Sequence, residues 1–364
     1  MFKYPVYQPA LEGNEKIYVN ECLDTNWISS KGHFVNDFEK KFAEYLGTDY
    51  ATAVSNGTVA IHLAIVALGI GSGDEVIVPT FTYIASANPI AQVGATPVFV
   101  DSLEETWQMS PKDIKAKITD KTKAIMVVHL YGHPCDMDEI MAIAKEHNLF
   151  VIEDCAEAIG SEYKGKKVGS FGDIGCFSFF GNKTITCGEG GMVVTNDATI
   201  HDRLVRYKGQ GLAKYREYWH DIAGFNYRMT NIQAAIGLAQ LEQIQKFIDK
   251  KQNVANWYQK YLTGLPVKFH KQTKDIFHTY WMCSILVEKA EIRDKLRDFL
   301  RENSIETRPA FYPIHTMPMY STKYAKHHTA EDLASRGINL PSYPNLSEED
   351  VKVICKKIGE FYEK

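Results

Sequence analysis

The sequence predicts an α/β fold in which a mostly parallel sheet lies between helices, followed by a smaller α+β domain. Short apolar segments of strand length alternate with segments of helical periodicity through the first half of the chain. The second half instead combines a long helical pattern with a few short strands and a terminal helix. The length of 364 residues is sufficient for one large and one small domain.

The first helix of the large domain is predicted from Phe34, Phe38, Phe42 and Leu46, whose helical spacing forms an apolar stripe. Strands and helices then alternate: strand 51–54, a helix from 59, strand 75–78, a helix from 84, strands 96–100 and 124–128, a helix from 137, and strand 150–153. Two further strands, 176–180 and 191–195, flank a glycine-rich loop. Short strands separated by helices are typical of a doubly wound sheet.

A long helical pattern runs from Ile232 to about Tyr261, and we expect it to bend where the two domains meet. It is followed by a strand in WMCSILV, a helix near 292–300, a strand in IETRP and a terminal helix from Ser347. We therefore predict a large domain over residues 1–245 and a smaller C-terminal α+β domain over residues 246–364.

Composition and charge argue against several classes of protein. The net charge of −4 gives no sign of a nucleic-acid or membrane partner. No segment approaches the ~18 apolar residues that span a bilayer, and the first residues lack the pattern of a signal peptide. Seven cysteines, an odd number without CxxC spacing, favour reduced thiols in the cytoplasm over disulfides. The twelve histidines are scattered, so we expect no metal site.

Lys183 is the first candidate for chemistry. It lies in a short loop, FGNKTITCGEGG, between two apolar segments, and the next acidic residue along the chain is Glu189. An amine in a partly desolvated pocket can lose its proton and attack a carbonyl group. A surface lysine in a hairpin explains the loop equally well, so the loop alone does not decide.

Asp154 is the second candidate, because it ends an apolar segment in VIEDCAEA. A buried carboxylate at the end of a strand can pair with the protonated ring nitrogen of pyridoxal 5'-phosphate (PLP), a cofactor that also requires a lysine. The alternative is a helix N-cap, a common use of aspartate after a strand.

Residues 55–58, SNGT, join a strand to a helix and form the third candidate. Backbone amides at the helix start, with the Ser55 and Thr58 hydroxyls, would face an anion and the positive end of the helix dipole. An ordinary turn with an N-cap is the alternative. Ligands of doubly wound sheets bind beyond the carboxyl ends of the strands, so we expect SNGT, EDCAEA and TFTY to share one pocket.

With these motifs in this order, the chain resembles the DegT/DnrJ/EryC1/StrS family of PLP-dependent nucleotide-sugar aminotransferases. The likeness covers nearly the whole chain, in VYQPALEGNEKIYVNECLDTNWISSKG, SNGTVAIHLA, GDEVIVPTFTYIAS, VHLYGHPCDMD, EDCAEAIG, FSFFGNKTIT, YWHDIAGFNYRMTNIQAAIGLAQLE, ETRPAFYPIHTMPMY and RGINLPSYP. It implies a fold-type I aminotransferase with a seven-stranded type of sheet, and a homodimer with shared active sites.

The resemblance also implies residue roles. Lys183 would bind the cofactor covalently and move a proton between carbon centres, while Asp154 would hold the pyridine nitrogen. Asn231 would reach a phosphate across the dimer interface. The full set of implied cofactor contacts is Gly57, Thr58, Tyr83, Asp154, Glu157, Ser178, Lys183 and Asn231.

Two of these contacts leave a choice open. Tyr83 would stack on the cofactor ring, and its alternative is a tyrosine of the core. Glu157 stands where histidine or glutamine is common in the family, and it could pack near the cofactor or touch the substrate.

The implied nucleotide-sugar contacts are Tyr218, Trp219, His220, Arg228, Tyr312 and His315, with Gly32, His33 and Met317 as further candidates. Arg228 could pair with a diphosphate, because a guanidinium offers paired donors to phosphate oxygens.

The likeness is closest to family members that make GDP-perosamine, chiefly at Glu157, YWHD and RPAFYPIHTMP. It implies transfer of the amino group of L-glutamate to C4 of GDP-4-keto-6-deoxy-D-mannose, for a surface polysaccharide such as O-antigen. One alternative is the same reaction on a dTDP- or UDP-linked 4-keto-6-deoxyglucose. Another is a PLP-binding regulator without turnover, against which the intact Lys183 argues. A Rossmann-type oxidoreductase is disfavoured because no G-x-G-x-x-G follows the first strand.

Overall fold

The computed structural model describes residues 2–321 and 325–363. Twelve α-helices lie in this part of the chain: α1 (Glu15–Asp24), α2 (His33–Leu46), α3 (Gly57–Ala67), α4 (Asn88–Gln92), α5 (Pro111–Ala116), α6 (Met137–His147), α7 (Ala198–Lys208), α8 (Asn231–Leu241), α9 (Ile244–Tyr261), α10 (Ala290–Glu302), α11 (His328–Arg336) and α12 (Glu348–Tyr362).

The same residues form fourteen strands: β1 (Tyr50–Val54), β2 (Glu75–Pro79), β3 (Thr96–Val100), β4 (Thr122–Val128), β5 (Phe150–Asp154), β6 (Glu162–Tyr163), β7 (Lys166–Lys167), β8 (Ile174–Ser178), β9 (Gly191–Thr195), β10 (Val267–Phe269), β11 (Ile276–Phe277), β12 (Cys283–Val287), β13 (Arg308–Pro309) and β14 (Gly337–Leu340).

Seven strands form the central sheet in the order β1-β9-β8-β5-β4-β2-β3. The pairs β2–β3, β2–β4, β4–β5 and β5–β8 are parallel, whereas β9 is antiparallel to both of its neighbours, β1 and β8. β1 therefore runs in the same direction as β8, and β9 alone is reversed in this sheet. The predicted mostly parallel, seven-stranded sheet is confirmed.

Helices cover both faces of this sheet, and strand β4 illustrates how. Met126 and Val128 pack into an apolar cluster with α3, while Ile125 and Val127 pack into a second cluster with α6. Successive side chains of a strand point to opposite faces, so a strand covered on both faces is apolar at nearly every position. This explains why the sheet strands appear in the sequence as short unbroken apolar segments.

The predicted apolar stripe of α2 is confirmed, since Phe34, Phe38, Phe42 and Leu46 are all buried. They belong to the same cluster as the inner side of α8. The long helical pattern is two helices, because the backbone leaves the helical region at Gln243 (φ −111°, ψ 9°) between α8 and α9.

Three predicted elements differ from the structure. The helix expected from Ile84 is a single 3₁₀ turn, Ile84–Ser86, followed by the short α4, whose first turn contains proline. The strand expected at 176–180 is β8, which starts two residues earlier and stops at Ser178. The strand expected in IETRP is reduced to β13, because Ile305 instead forms a separate bridge with Tyr4.

A second sheet, β10-β12-β14-β13, packs with α9, α10 and α12 around its own apolar cluster. Tyr4, near the start of the chain, belongs to this cluster. A third, three-stranded sheet has the order β11-β6-β7. The domain boundary after residue 245 stays a prediction. Among the described residues, none of the helices combines the length and apolar character needed to cross a membrane.

Candidate active site

One edge of the central sheet gathers the predicted site residues. β1, β5 and β8 run in the same direction and end at Val54, Asp154 and Ser178. The antiparallel β9 starts at the same edge, where Gly191 pairs with both Val54 and Ser178. SNGT, EDCAEA and the start of the Lys183 loop therefore lie together beyond the carboxyl ends of the strands, where such sheets bind ligands.

Lys183 lies in the loop between β8 and β9, and its side chain is only 13% exposed. Its Nζ lies 3.8 Å from the centre of the Trp281 ring and 3.7 Å from Oε1 of Glu157. Burial lowers the pKa of this amine, and the carboxyl groups of Glu157 and Asp154 oppose that shift. The surface-hairpin alternative is therefore wrong, and the amine has the desolvated surroundings that a nucleophilic lysine needs.

Asp154 is buried at the end of β5 and is held by neutral donors. Ser86 Oγ donates to its Oδ2 at 2.7 Å, and the amide of Ala156 donates to its Oδ1 at 3.1 Å. Burial raises the pKa of this carboxyl, while these two hydrogen bonds oppose the shift. Asp154 begins no helix, so the N-cap alternative is wrong.

Glu157 is buried between Lys183 and the main chain of Tyr131. The Tyr131 amide donates to Glu157 Oε2 at 2.8 Å, and Oε1 faces the Lys183 amine. Burial raises the pKa of Glu157 to about 7, with Lys183 opposing the shift. This carboxyl therefore belongs to the same buried group as Lys183 and Asp154.

The start of α3 provides the features of an anion site. Asn56 caps the helix by accepting a hydrogen bond from the amide of Val59, which leaves the amides of Gly57 and Thr58 for an external acceptor. A Cβ on Gly57 would lie 2.6 Å from Cβ and 2.9 Å from Oγ of Ser178. The helix start and the Ser178 hydroxyl are therefore in close contact, and only glycine fits between them.

Tyr83 and Asn231 differ in exposure. Tyr83 is 57% exposed, which rules out the core alternative, and its carbonyl accepts the amide of Ser86, the residue that binds Asp154. Asn231 is buried at the start of α8, where its Nδ2 donates to the carbonyl of Trp27 at 2.7 Å. Its Oδ1 has no hydrogen-bond partner among the described residues.

The candidate sugar-nucleotide residues lie in two places. Arg228 forms a backbone bridge with Val54 at the end of β1 and is exposed, so it lies beside SNGT. Tyr218 (92% exposed), Trp219 and His220 lie on an exposed segment, and no hydrogen bond or ring contact joins them to Lys183 or Asp154 in the described structure.

The remaining candidates are more varied. Tyr312 is exposed, with the Arg293 guanidinium 5.9 Å from its ring centre. His315 is buried, and its ring nitrogens contact Thr80 and Glu331. Three further candidates for the nucleotide-sugar site were Gly32, His33 and Met317. In the structure, Gly32 packs against Asn231, His33 bridges Glu21 and Asp37, and Met317 is half-buried.

Sequence reasoning missed three contacts of the site. Trp281 covers the Lys183 amine, and its Nε1 donates to the carbonyl of Asn182 at 2.7 Å. Tyr7 donates its hydroxyl to the carbonyl of Lys183 at 2.6 Å. Ser86 binds Asp154 from the turn after β2. Only the order YIAS after a strand could have indicated Ser86, and nothing local to Trp281 or Tyr7 points to the Lys183 loop.

In the part of the chain that the structure describes, one buried group has metal-ligating side chains: His129, Glu153 and Cys155. The Glu153 oxygens accept hydrogen bonds from the amides of Gly169, Phe171 and Gly172, in the turn before β8, and from His129 Nε2. His129 Nδ1 accepts the amide of Cys135. Hydrogen bonds within the protein thus already use these ligand atoms of the glutamate and the histidine.

The residues at the sheet edge fit the expected cofactor. PLP needs an amine, an acid for its ring nitrogen and an anion site for its phosphate. Lys183, Asp154 and the gap between Gly57 and Ser178 are of these three kinds, and all lie at one edge. The fit rests on the chemistry of the residues present: a buried carboxyl that forms no ion pair among the described residues, and a helix start where any Cβ would collide with Ser178.

Known proteins resemble this chain over its full length. The model of the DegT/DnrJ/EryC1/StrS aminotransferase family matches residues 9–359. The chain is 67% identical over 358 residues to a GDP-perosamine synthase of Escherichia coli O157:H7, with 98% of each chain covered. It is 53% identical to a GDP-perosamine synthase of Vibrio cholerae, covering 98% of this chain and 99% of that one. Among solved structures, DesV of S. venezuelae is similar, with a TM-score of 0.91, 33% identity, and 96% of this chain and 95% of that chain covered.

Proposed function

The chain belongs to the DegT/DnrJ/EryC1/StrS aminotransferase family, and we propose that it transfers the amino group of L-glutamate to C4 of GDP-4-keto-6-deoxy-D-mannose. The product is GDP-perosamine, a precursor of a surface polysaccharide such as O-antigen. The protein is a PLP-dependent sugar aminotransferase. The full-length similarity to two GDP-perosamine synthases carries the choice of substrate.

Three side chains would carry the chemistry. PLP, when bound, withdraws electrons from the carbon that bears the amino group. Lys183 Nζ would take the proton from the donor carbon and return it to the acceptor carbon. Asp154 would keep a proton on the ring nitrogen, because a buried carboxylate stabilises a cation beside it. Glu157 Oε1 lies within reach of the Lys183 amine and would accept its excess proton.

The phosphate would bind at the start of α3. The amides of Gly57 and Thr58, the Ser178 hydroxyl and the positive end of the helix dipole all favour an anion there. Tyr83 is exposed, and its carbonyl binds the amide of Ser86, the residue that binds Asp154; its ring would cover one face of the cofactor. These contacts orient the cofactor without taking part in proton movement.

The sugar nucleotide would bind on the solvent side of this group. Arg228, exposed beside SNGT, would pair with the diphosphate. The exposed residues Tyr218, Trp219, His220 and Tyr312 would contact the nucleotide, together with His315 from a buried position.

We also propose a homodimer in the cytoplasm, with each active site shared between two subunits. Exposed apolar side chains support an interface, and several come from the segment before α2: Leu11, Ile17, Leu23, Trp27 and Ile28. Asn231 lies under this segment, and we expect it to contribute to the phosphate site of the partner subunit. Seven free, buried thiols support a reducing compartment.

The test is a substrate panel. Protein loaded with PLP is incubated with L-glutamate and with the GDP-, dTDP- and UDP-linked 4-keto-6-deoxy sugars, and the amino product is identified by mass. We expect a kcat/KM advantage of about 5- to 150-fold for the GDP-mannose ketone, because one buried polar group left unpaired by the wrong base costs roughly 1–3 kcal/mol.

Two outcomes limit the proposal. Comparable kcat/KM values for the GDP and dTDP substrates would overturn the GDP assignment but leave the aminotransferase activity in place. Absence of product with every ketone and donor would favour a PLP-binding regulator. Lys183→Ala is the control, since it removes the amine without altering the nucleotide contacts.

A further inference from the structure

Lys251, in the middle of α9, is a buried lysine that the proposed chemistry does not use. Its relative exposure is 1%, and its Nζ donates to two backbone carbonyls, those of Trp281 (3.1 Å) and Ser342. No carboxylate among the described residues pairs with this amine. Burial lowers the pKa of this amine to about 8.

The residues around Lys251 are the same ones that hold the Lys183 loop. Its Nζ lies 5.2 Å from the centre of the Tyr7 ring, and the Tyr7 hydroxyl donates to the carbonyl of Lys183. The Trp281 carbonyl accepts from Lys251, while Trp281 Nε1 donates to the carbonyl of Asn182. Two successive carbonyls of the loop are thus held by two aromatic side chains, and Lys251 contacts both residues.

We infer that Lys251 is a positioning residue for Lys183, acting through Tyr7 and Trp281. Its ammonium joins the start of the chain to the strand region that carries Trp281, and so fixes the direction in which the Lys183 amine points. Lys251 itself contacts no atom of Lys183. The inference rests on the proposed function, which gives the Lys183 amine its task.

A role in stability alone does not account for this amine. A buried ion without a partner of opposite charge pays a desolvation penalty, and an apolar side chain of similar volume often stabilises a core equally well or better. Methionine has nearly the length of lysine and no charge. Lys251→Met therefore separates positioning of the Lys183 loop from simple filling of the core.

The experiment compares three variants of the full-length protein. Lys251→Met removes the ammonium, Lys251→Arg keeps a cation, and Lys250→Met changes the neighbouring, half-buried lysine, which pairs with Glu12. Protein freed of PLP is mixed with PLP, reduced with borohydride at timed intervals, and the peptide containing Lys183 is quantified by mass spectrometry. Steady-state kcat and KM and the melting temperature are measured on the same samples.

For Lys251→Met we expect slower capture of PLP by Lys183 and a kcat at least about tenfold lower, since misplacing a reacting group by about 1 Å can cost about a hundredfold. KM for the sugar and the melting temperature should change little. Lys251→Arg should recover much of the capture rate, and Lys250→Met should match the unmodified protein. Unchanged capture and kcat in Lys251→Met would overturn the inference, as would equal losses in kcat, KM and melting temperature.

A double-mutant cycle keeps the test decisive if Lys251→Met does not fold. Lys251→Gln, which removes the charge but keeps a hydrogen-bond donor, and Trp281→Phe are combined, and PLP capture is measured in all four proteins. Residues that act through one another give non-additive effects, so strictly additive effects would refute the inference. The capture assay needs no sugar, and a wrong substrate assignment therefore leaves its result intact.

Discussion

Replacing Gly57 by alanine should weaken PLP binding through one steric contact. A Cβ at this position would lie 2.6 Å from Ser178 Cβ, whereas ordinary van der Waals contacts begin at 3.4 Å. The helix start and Ser178 must therefore separate by about 0.8 Å. Overpacking of this kind typically costs 1–3 kcal/mol, and if the site recovers its closed form on binding, the dissociation constant rises about 5- to 150-fold.

The structure also provides the compensating change and the control. Ser178→Gly removes both atoms that the new methyl group would meet first, and the double variant Gly57→Ala/Ser178→Gly leaves the Ser178 Cα as the nearest atom at 3.3 Å. Gly181→Ala, two residues before Lys183, adds the same methyl group where the nearest atom is 4.0 Å away. We expect the double variant to bind PLP more tightly than Gly57→Ala, and Gly181→Ala to bind it normally.

The assay is equilibrium titration of cofactor-free protein with PLP, followed by absorbance, with thermal unfolding as a check on the fold. Unchanged PLP affinity in Gly57→Ala would refute the placement of the phosphate between α3 and β8. If Gly57→Ala and the double variant lose the same PLP affinity, the loss of the Ser178 hydroxyl cancels the relief of the steric contact, and the hydroxyl itself contributes to PLP binding.

Three further outcomes are expected. Asp154→Asn should lower kcat about 10- to 1000-fold, equivalent to one to three pKa units of lost charge stabilisation, while PLP affinity changes far less; near-normal turnover would assign the ring nitrogen to another acid. Burial lowers the pKa of His270 to about 3, so below about pH 6.5 the imidazole is protonated in the unfolded state but not in the folded state. His270 alone therefore lowers the free energy of unfolding by about 1.4 kcal/mol for each unit by which the pH falls. In urea unfolding between pH 6 and 4.5, the stability of His270→Gln should fall less steeply with pH than that of the unmodified protein, and equal slopes would contradict this. Mixing inactive Lys183→Ala and Asn231→Asp subunits should restore part of the activity, because one of the two sites in a mixed dimer contains both native residues; no recovery under conditions of subunit exchange, or a fully active monomer in sedimentation, would contradict shared sites.

The parallel sheet explains why part of the site could be predicted from the sequence. Strands that share a direction bring their carboxyl ends to one edge, so Asp154 and the SNGT turn had to converge once the strands were recognised. Ser178, inside the strand expected at 176–180, was indicated only by the family resemblance. The apolar strands were recognisable because both faces of the sheet are covered. Sequence order and strand direction together therefore predicted the cluster without any knowledge of distances.

The side chains that hold Lys183 could not be predicted in this way. Tyr7 precedes Lys183 by 176 positions, and Trp281 follows Asn182 by 99. Their hydrogen bonds depend on how the chain start and the strand β12 region dock on the Lys183 loop, which no local pattern specifies. The exposure of a side chain also depends on how distant segments dock. The sequence allowed Tyr83 to lie either in the core or over the cofactor, and its side chain is 57% exposed.

The buried charges at the sheet edge bear on the proposed contact between Asp154 and the ring nitrogen of the cofactor. Lys183 provides one positive charge and lies 3.7 Å from Glu157, whereas Asp154 has no ion pair among the described residues and accepts hydrogen bonds from the Ser86 hydroxyl and the Ala156 amide. Burial raises the pKa of Asp154, which shows that these neutral donors do not fully replace water around its charge. A protonated ring nitrogen would supply the missing cation. The Asp154 carboxylate is thus expected to gain charge stabilisation when PLP binds, and an asparagine, uncharged, would lose that gain while occupying the same space.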